Sequence, residues 1–258
     1  MKFVFDLDGT ICFKGAPISE TIITAIERLK AHGHEAIFAS ARPIRDLLPI
    51  LPKRLHAYTM IGGNGALIYR NGFVEQGTYF ETSVLDQLKE WLRIFKADYL
   101  MDSDWDYAYT GPNDHPILKQ LDVHQLAQNC SVDELNQIVK ILVVDSCNMQ
   151  ELYERIKQLP VVIHRCTVEG VFDISPANIH KWSALQAIGV EAGSYIVFGN
   201  DANDVTMFQH AWHSVMIGHH DFLSHYASEQ LDIHADIDME ISKKIDELCK
   251  QYTESEFN

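Results

Sequence analysis

KFVFDLDGT, residues 2–10, is the stretch that decides how this chain is read. A short run of β-formers ends abruptly in Asp6, Asp8, Gly9 and Thr10, the pattern of a buried strand entering a loop that carries two carboxylates. Working outward, Ser19 opens a helical pattern in which Ile22, Ile23, Ile26 and Leu29 share one face. Ser19 suits the N-cap, Glu20 the first turn and Gly33 the stop. Glu35–Ala39 reads as a second short strand ending at Ser40, a helical stretch follows Pro43, and residues 57–61 form a third apolar run. Strand, helix, strand, helix, strand is the opening of a parallel sheet with helices on its faces.

After residue 65 the alternation breaks. Residues 66–69 and 73–79 flank Asn71-Gly72, a type I′ hairpin signal. A helix over 82–96, strands over 138–144, 161–164 and 171–174, and a helix over 149–158 make a smaller α+β insertion. Trp105, Tyr107 and Tyr109 are two apart. A strand there would put them on one face and Asp102, Asp104 and Asp106 on the other. Past Pro176 the first pattern resumes: a helix from Lys181, a strand over 194–198, a helix from Asn203, a strand over 215–217 and an amphipathic helix over 240–250. The expected division is residues 1–80 with 177–258 as the main unit and 81–176 as the insertion.

The 258 residues are 47% hydrophobic and 22% charged, which supports a substantial core. No apolar run approaches a membrane span, and the acidic DLDGT interrupts what a signal peptide would continue, so a cytoplasmic protein is expected, and a monomer. The net charge of -15 and the lack of a Lys/Arg cluster argue against nucleic acid and anionic membranes as partners. Five scattered cysteines without CxxC spacing read as reduced thiols. The 13 histidines show no metal-ligand spacing and read mostly as surface polar residues.

Three polar clusters follow expected parallel strands: Asp6-Leu7-Asp8-Gly9-Thr10, Ser40-Ala41-Arg42, and Gly199-Asn200-Asp201-Ala202-Asn203-Asp204. Open α/β sheets bind ligands at that edge. One Asp-rich turn is ordinary loop chemistry, but three on one edge suit phosphoryl transfer. Magnesium takes oxygen ligands, which Asp6 and a group from the last cluster can supply. A carboxylate can attack phosphorus and divide one hard displacement into two. The Ser40 hydroxyl, the amides after Asp8 and a lysine can hold the phosphate oxygens.

These motifs resemble the haloacid dehalogenase superfamily, specifically its Cof-like phosphatases with a type IIB cap. DLDGT, the hydroxyl at Ser40, a lysine motif ending in Lys181 and GNDANDVTMF from Gly199 match in order. FDISPANIHKWSAL (172–185) resembles the return from cap to core, and GGNGA (62–66) the lead into the cap. The resemblance spans essentially the whole chain. It implies a Rossmann-like α/β core with an inserted α+β cap, and a Mg2+-dependent phosphatase of small phosphorylated metabolites. Asp6 would be nucleophile and metal ligand. Asp8 would be acid and base, with its main-chain carbonyl on the metal. Ser40 and Lys181, with Thr10 and Asn203, would serve phosphate and substrate, and Arg42 would contact substrate or form a salt bridge beside it.

Three positions depart from the pattern. Asn200 stands where an acidic metal ligand is usual, and the lost attraction is roughly 4 kcal/mol at contact distance before desolvation. Its amide oxygen can still bind, and Asp204 is favoured over Asp201 as the second acid of the metal shell. Ala41 stands where glycine is common, and Trp182 follows the lysine where glycine is usual. Sugar phosphates are the leading substrate class by resemblance, with pyridoxal phosphate and flavin mononucleotide as alternatives. Rival readings are a phosphomutase with the same chemistry, a receiver-like regulatory module, which this chain doubles in length, and a phospho-metabolite sensor without turnover.

Overall fold

The computed structural model describes residues 1–13, 15–135, 137–165 and 170–254. β1 (Lys2–Phe5) leads through α1 (Glu20–Ala31), β2 (Glu35–Ala39) and the short α2 (Ile44–Leu47) to β3 (Thr59–Gly62) and the hairpin of β4 (Leu67–Arg70) and β5 (Phe73–Gly77). Then come α3 (Thr82–Ile94), β6 (Asp98–Asp102), β7 (Tyr107–Tyr109), β8 (Lys140–Asp145), α4 (Met149–Ile156), β9 (Val161–Arg165) and β10 (Phe172–Pro176). The chain continues with α5 (Lys181–Ala187), β11 (Tyr195–Gly199), α6 (Val205–Phe208), β12 (His213–Ile217), β13 (Glu229–Leu231) and α7 (Ile237–Glu254). No helix among the described residues is long and apolar enough to cross a membrane.

The main sheet has the order β13-β12-β11-β1-β2-β3-β4-β5. It is parallel from β13 to β3 and antiparallel through the terminal hairpin. Asn71 and Gly72 both have positive φ, as a type I′ turn requires. β1 is central, and its side chains are buried on both faces. Phe3 and Phe5 pack in one core cluster with residues of α1 and α7, while Val4 packs in another with residues of α5 and α6. From β1 the chain moves one way through β2 and β3, and later the other way through β11, β12 and β13. The crevice of such a sheet opens where the order reverses, here at the ends of β1 and β11, where the Asp6 amide donates to Phe198 O at 2.9 Å.

A second, antiparallel sheet has the order β7-β6-β8-β10-β9. Met101, Ile141, Val143, Phe172 and Ile174 cover one face and pack with Leu88 and Leu92 of α3 and Leu152 and Ile156 of α4. Strand alternation sends Leu100, Asp102, Lys140 and Leu142 to the opposite face, where they line a cavity with Asp8, Ala41 and Arg42 of the main unit.

The aromatic stripe and its acidic counterpart do not form. Residues 103–106 make the turn between β6 and β7, so only Tyr107 and Tyr109 are in strand. Trp105 Nε1 donates to Leu126 O at 2.7 Å, and Tyr109 Oη donates to Pro112 O at 2.9 Å. Asp106 accepts from the Gln128 amide at 2.9 Å. Asp102 is 0% exposed and paired with Arg45, so it is no part of an acidic surface. Of the cysteines, Cys12, Cys130, Cys147 and Cys249 are reduced and form no disulfide, and Cys166 lies outside the described residues.

Arg45 fastens the two units. Its side chain is fully buried, bonds Asp102 of β6, lies 3.3 Å from Asp46 and donates to Trp105 O at 2.9 Å. The guanidinium carbon sits 4.6 Å from the centroid of the Tyr107 ring, a cation–π contact. Asp46 in turn accepts from the Asp122 amide at 2.7 Å. Removing one partner of a buried pair strands the other charge without water. Arg45→Met should therefore cost about 3–5 kcal/mol in urea unfolding, and the double change Arg45→Met with Asp102→Leu should cost less than Arg45→Met alone. A single variant within about 0.5 kcal/mol of wild type would show that the pair does not fasten the cap.

Candidate active site

The first cluster turns tightly after β1. The amides of Thr10, Ile11 and Cys12 all donate to Leu7 O, at 3.1, 3.0 and 2.9 Å. Gly9 has φ +80°, and a Cβ there would lie 2.1 Å from Asn200 Nδ2, so both backbone conformation and the close approach of the last cluster require glycine. Asp6 is 5% exposed at the floor of the crevice. Asp8, two residues on, reaches the rim beside the cavity under the cap.

Lys181 lies beneath this turn. It begins α5, whose N-cap His180 and Ser183 bond each other's backbone amides in a capping box. The GGNGA turn braces that helix start: a Cβ on Gly65 (φ +113°) would meet His180 O at 2.4 Å. The Lys181 ammonium, 0% exposed, bonds Asp6 Oδ1 at 2.6 Å and Asp204 Oδ1 at 2.7 Å. Burial alone pulls this amine down, but the charges of Asp204 and Asp6 outweigh it and hold the amine protonated. For Asp6, burial and then the Asp204 charge win over the bonds from Lys181 and Thr10. Its carboxyl is pushed up to about 7.

Two buried carboxylates therefore share one ammonium, and the cluster is short of positive charge. Its open side carries oxygens. Thr10 Oγ1 lies 2.8 Å from Asp6 Oδ2 and 3.1 Å from Asn200 Oδ1, and its single proton cannot fully satisfy both acceptors. A carboxylate and an amide oxygen converging beside uncompensated negative charge fit a hard divalent cation such as magnesium. Among the described residues no three His, Cys, Asp or Glu side chains form a metal cluster.

Asp204, expected in the metal shell, has both carboxylate oxygens bonded within the protein. Oδ1 is bonded to Lys181, and Oδ2 accepts the amides of Asn200 at 2.9 Å and Asp201 at 3.2 Å. With both oxygens engaged and no exposure, this carboxylate anchors the lysine and ties the loop. Asp201 caps its own turn, accepting from the Ala202 amide, with His220 3.6 Å away. Arg42, expected to contact substrate or to form a salt bridge beside it, grips Asp8 through two 2.7 Å bonds and donates to Gln120 of the cap at 3.1 Å. Ser40 is 1% exposed and accepts from the Arg42 amide at 3.1 Å. Asn203 donates to Asn64 Oδ1 at 3.1 Å.

The two other departures leave the site intact. Ala41 is not among the residues with positive φ, so glycine is not needed there. Trp182 is 4% exposed and stacks on His210 at 4.6 Å and on Tyr195 at 5.5 Å, away from the crevice. Asn64, Gln120 and Lys140 went unnoticed in the sequence. Only Asn64, between two glycines and in the left-handed region at φ 58°, carried a local signal.

The family model described as haloacid dehalogenase-like hydrolase matches residues 3–237. A 5-amino-6-(5-phospho-D-ribitylamino)uracil phosphatase of Bacillus subtilis is 23% identical over 229 residues, covering 83% of this chain and 84% of its own. An HMP-PP phosphatase of Cronobacter sakazakii is 26% identical over 233 residues, covering 83% and 82%. Among solved structures, a sugar phosphatase of HAD subclass IIB matches with a TM-score of 0.74 over 96% of this chain and 98% of that one. At 17% identity that likeness speaks for the fold alone.

The Asp204 geometry makes a stability prediction. Asparagine offers one acceptor oxygen where three donors converge, so Asp204→Asn should lower unfolding free energy by about 1–3 kcal/mol. Denaturant unfolding of the metal-free protein measures it, and unchanged stability would return Asp204 to candidacy as a metal ligand.

Proposed function

This chain belongs to the haloacid dehalogenase-like hydrolases, and from that premise we propose that Asp6 takes a phosphoryl group from a small phosphorylated metabolite and passes it to water. The chain is a phosphatase of that family. The observation that carries the proposed chemistry is the burial of Asp6 between Lys181 and Thr10, with Asp8 two residues away at the rim.

In the first step an Asp6 oxygen attacks phosphorus in line with the ester bond. That bond breaks, and the departing oxygen takes the proton that Asp8 carries. In the second, Asp8 removes a proton from water, the resulting nucleophile attacks the aspartyl-phosphate, and the P–O bond to Asp6 breaks to release inorganic phosphate. Lys181 fixes Asp6 and, with the Ser40 hydroxyl and the amides after Asp8, balances charge on the phosphoryl oxygens. Before substrate binds, Arg42 holds both Asp8 oxygens through its paired bonds, and one of those bonds must be released for Asp8 to carry or take the proton. Held by the Asp6 carboxylate, the Asn200 amide oxygen and the Asp8 main-chain carbonyl, Mg2+ would supply the missing positive charge and reduce repulsion between nucleophile and phosphate dianion.

The relatives named above act on a ribitylamino-uracil phosphate and on HMP-PP, and the structural neighbour is a sugar phosphatase. They support a small metabolite as substrate, with sugar phosphate as the leading class.

Phosphate release from a panel of sugar phosphates in magnesium tests the reading. Asp6→Asn should abolish turnover while keeping the fold. Asp8→Ala should slow sugar phosphates by about 10²–10⁴-fold and nitrophenyl phosphate far less, because nitrophenolate scarcely needs a proton. Equal losses on both substrates would mean that Asp8 acts through structure. Independently of turnover, magnesium at about a hundred times its Kd should stabilise wild type by about 2.7 kcal/mol and Asp6→Asn by much less. Calorimetric melting reads this directly, and no rise in wild type would remove magnesium from the proposal.

A further inference from the structure

The turn that leaves β3 runs through three consecutive residues with positive φ: Gly63 at 59°, Asn64 at 58° and Gly65 at 113°. Glycine takes that conformation freely, and asparagine takes it at some cost. Backbone needs alone would therefore put glycine at the middle position as well. The Asn64 side chain that stands there instead is 1% exposed. Its carbonyl Oδ1 accepts from Asn203 Nδ2 at 3.1 Å, whereas its own Nδ2 is buried and meets no acceptor. A hydroxyl could rotate to find an acceptor, but a planar amide whose oxygen is already fixed cannot. A buried donor left unmatched is costly and is normally met by water or ligand.

The same turn packs on each of the other side chains that serve the phosphoryl group. The Asn64 amide donates to Ser40 O at 3.1 Å, and the Gly63 amide donates to Arg42 O at 2.8 Å. A Cβ on Gly62 would lie 2.9 Å from Arg42 O, and one on Gly65 would lie 3.2 Å from Lys181 N. Ser40 follows β2, Lys181 opens α5 and Asn203 follows β11. One turn thus ties together three groups from distant parts of the chain, with a free donor among them.

We propose that Asn64 is a further phosphate-binding residue: its carbonyl keeps Asn203 in place, and its Nδ2 donates to a phosphoryl oxygen held also by Ser40 and Lys181. The proposal rests on the phosphatase reading above and adds a residue to its site. A phosphoryl oxygen only accepts, so it is the partner that a free N–H lacks. The Lys181 ammonium already serves both Asp6 and Asp204, which leaves neutral donors to take a larger share of the phosphate. Nδ2 is as enclosed as Ser40 and Lys181, which are 1% and 0% exposed. A hydrogen bond to a charged oxygen is strengthened where water is kept away.

The test is calorimetric binding of orthovanadate, a tetrahedral oxyanion like phosphate, to the whole protein in excess magnesium. Asn64→Gly keeps the left-handed backbone and deletes the amide. Its melting temperature should not fall, while vanadate should bind at least about tenfold more weakly. Asn64→Asp keeps an oxygen for Asn203 but exchanges the free donor for an acceptor, and it should weaken vanadate at least as much. Repeating Asn64→Gly in an Asn203→Ala background separates a direct bond from action through Asn203, because a direct bond still costs about tenfold there. Four results would overturn the proposal: wild-type affinity in either Asn64 variant, no effect of Asn64→Gly once Asn203→Ala is present, weaker binding matched by a lower melting temperature in both variants, or no vanadate binding by wild type. Wild-type protein that binds vanadate through Asn64 yet releases no phosphate from the sugar phosphates would sink the phosphatase reading and leave the oxyanion site standing.

Discussion

The Lys181 ammonium, bonded at once to Asp6 and Asp204 with no contact to water, is the interaction on which the rest of the site depends. It joins the end of β1, the start of α5 and the loop after β11, segments nearly two hundred residues apart in sequence. In so buried a place each of the three charges would be prohibitive alone. Their combination is tolerable but unbalanced. The strain of that imbalance falls on Asp6, whose carboxyl is raised to about 7 by burial and the Asp204 charge and which faces the oxygens of Asn200 and Thr10. The same arrangement that holds the nucleophile still creates the electrostatic demand for a cation.

That triad also links catalysis to cap placement. β10 ends at Pro176, and α5 begins five residues later with Lys181. The strand carrying Asp173 and Ser175 and the helix carrying the lysine are therefore one short path. On the other side of the crevice Arg42 joins Asp8 to Gln120, and Arg45 joins α2 to Asp102 and the Tyr107 ring. The cap is thus attached by charged contacts flanking the site and by Lys140 on Ala41 O, with a polar cavity between them.

Much of the fold was legible in the sequence because it rests on local rules. Ser19 accepts from the Ile22 amide as an N-cap, Glu35–Ala39 is a strand over its expected span, and Asn71-Gly72 makes its hairpin. Alternation along β1 places Phe3 and Phe5 on one face and Val4 on the other. The loops holding Asp6, Ser40 and Asn200 follow β1, β2 and β11, so their convergence at one edge is a consequence of parallel pairing alone. By itself the sequence determined an α/β core, an insertion, and three polar clusters at the carboxyl ends of strands.

Tertiary structure alone decided how those groups divide their partners. Asp204 and Asn200 look interchangeable as oxygen donors on paper. Folding separates them, because the Lys181 ammonium and two adjacent backbone amides engage both oxygens of Asp204, while the Asn200 oxygen shares one hydroxyl proton with Asp6. Arg42 could equally have met substrate, and only the approach of Asp8 and Gln120 commits it. Lys140 and Arg45 gave no sign at all: a lysine at the head of an apolar strand and an arginine in a short helix look like surface residues. Their partners Asp173 and Asp102 lie 33 and 57 residues away. A charge reveals its role only when folding removes water from it and supplies a particular opposite charge. Periodicity, caps and turns are set by near neighbours along the chain, whereas that pairing is set by which strands come to lie side by side.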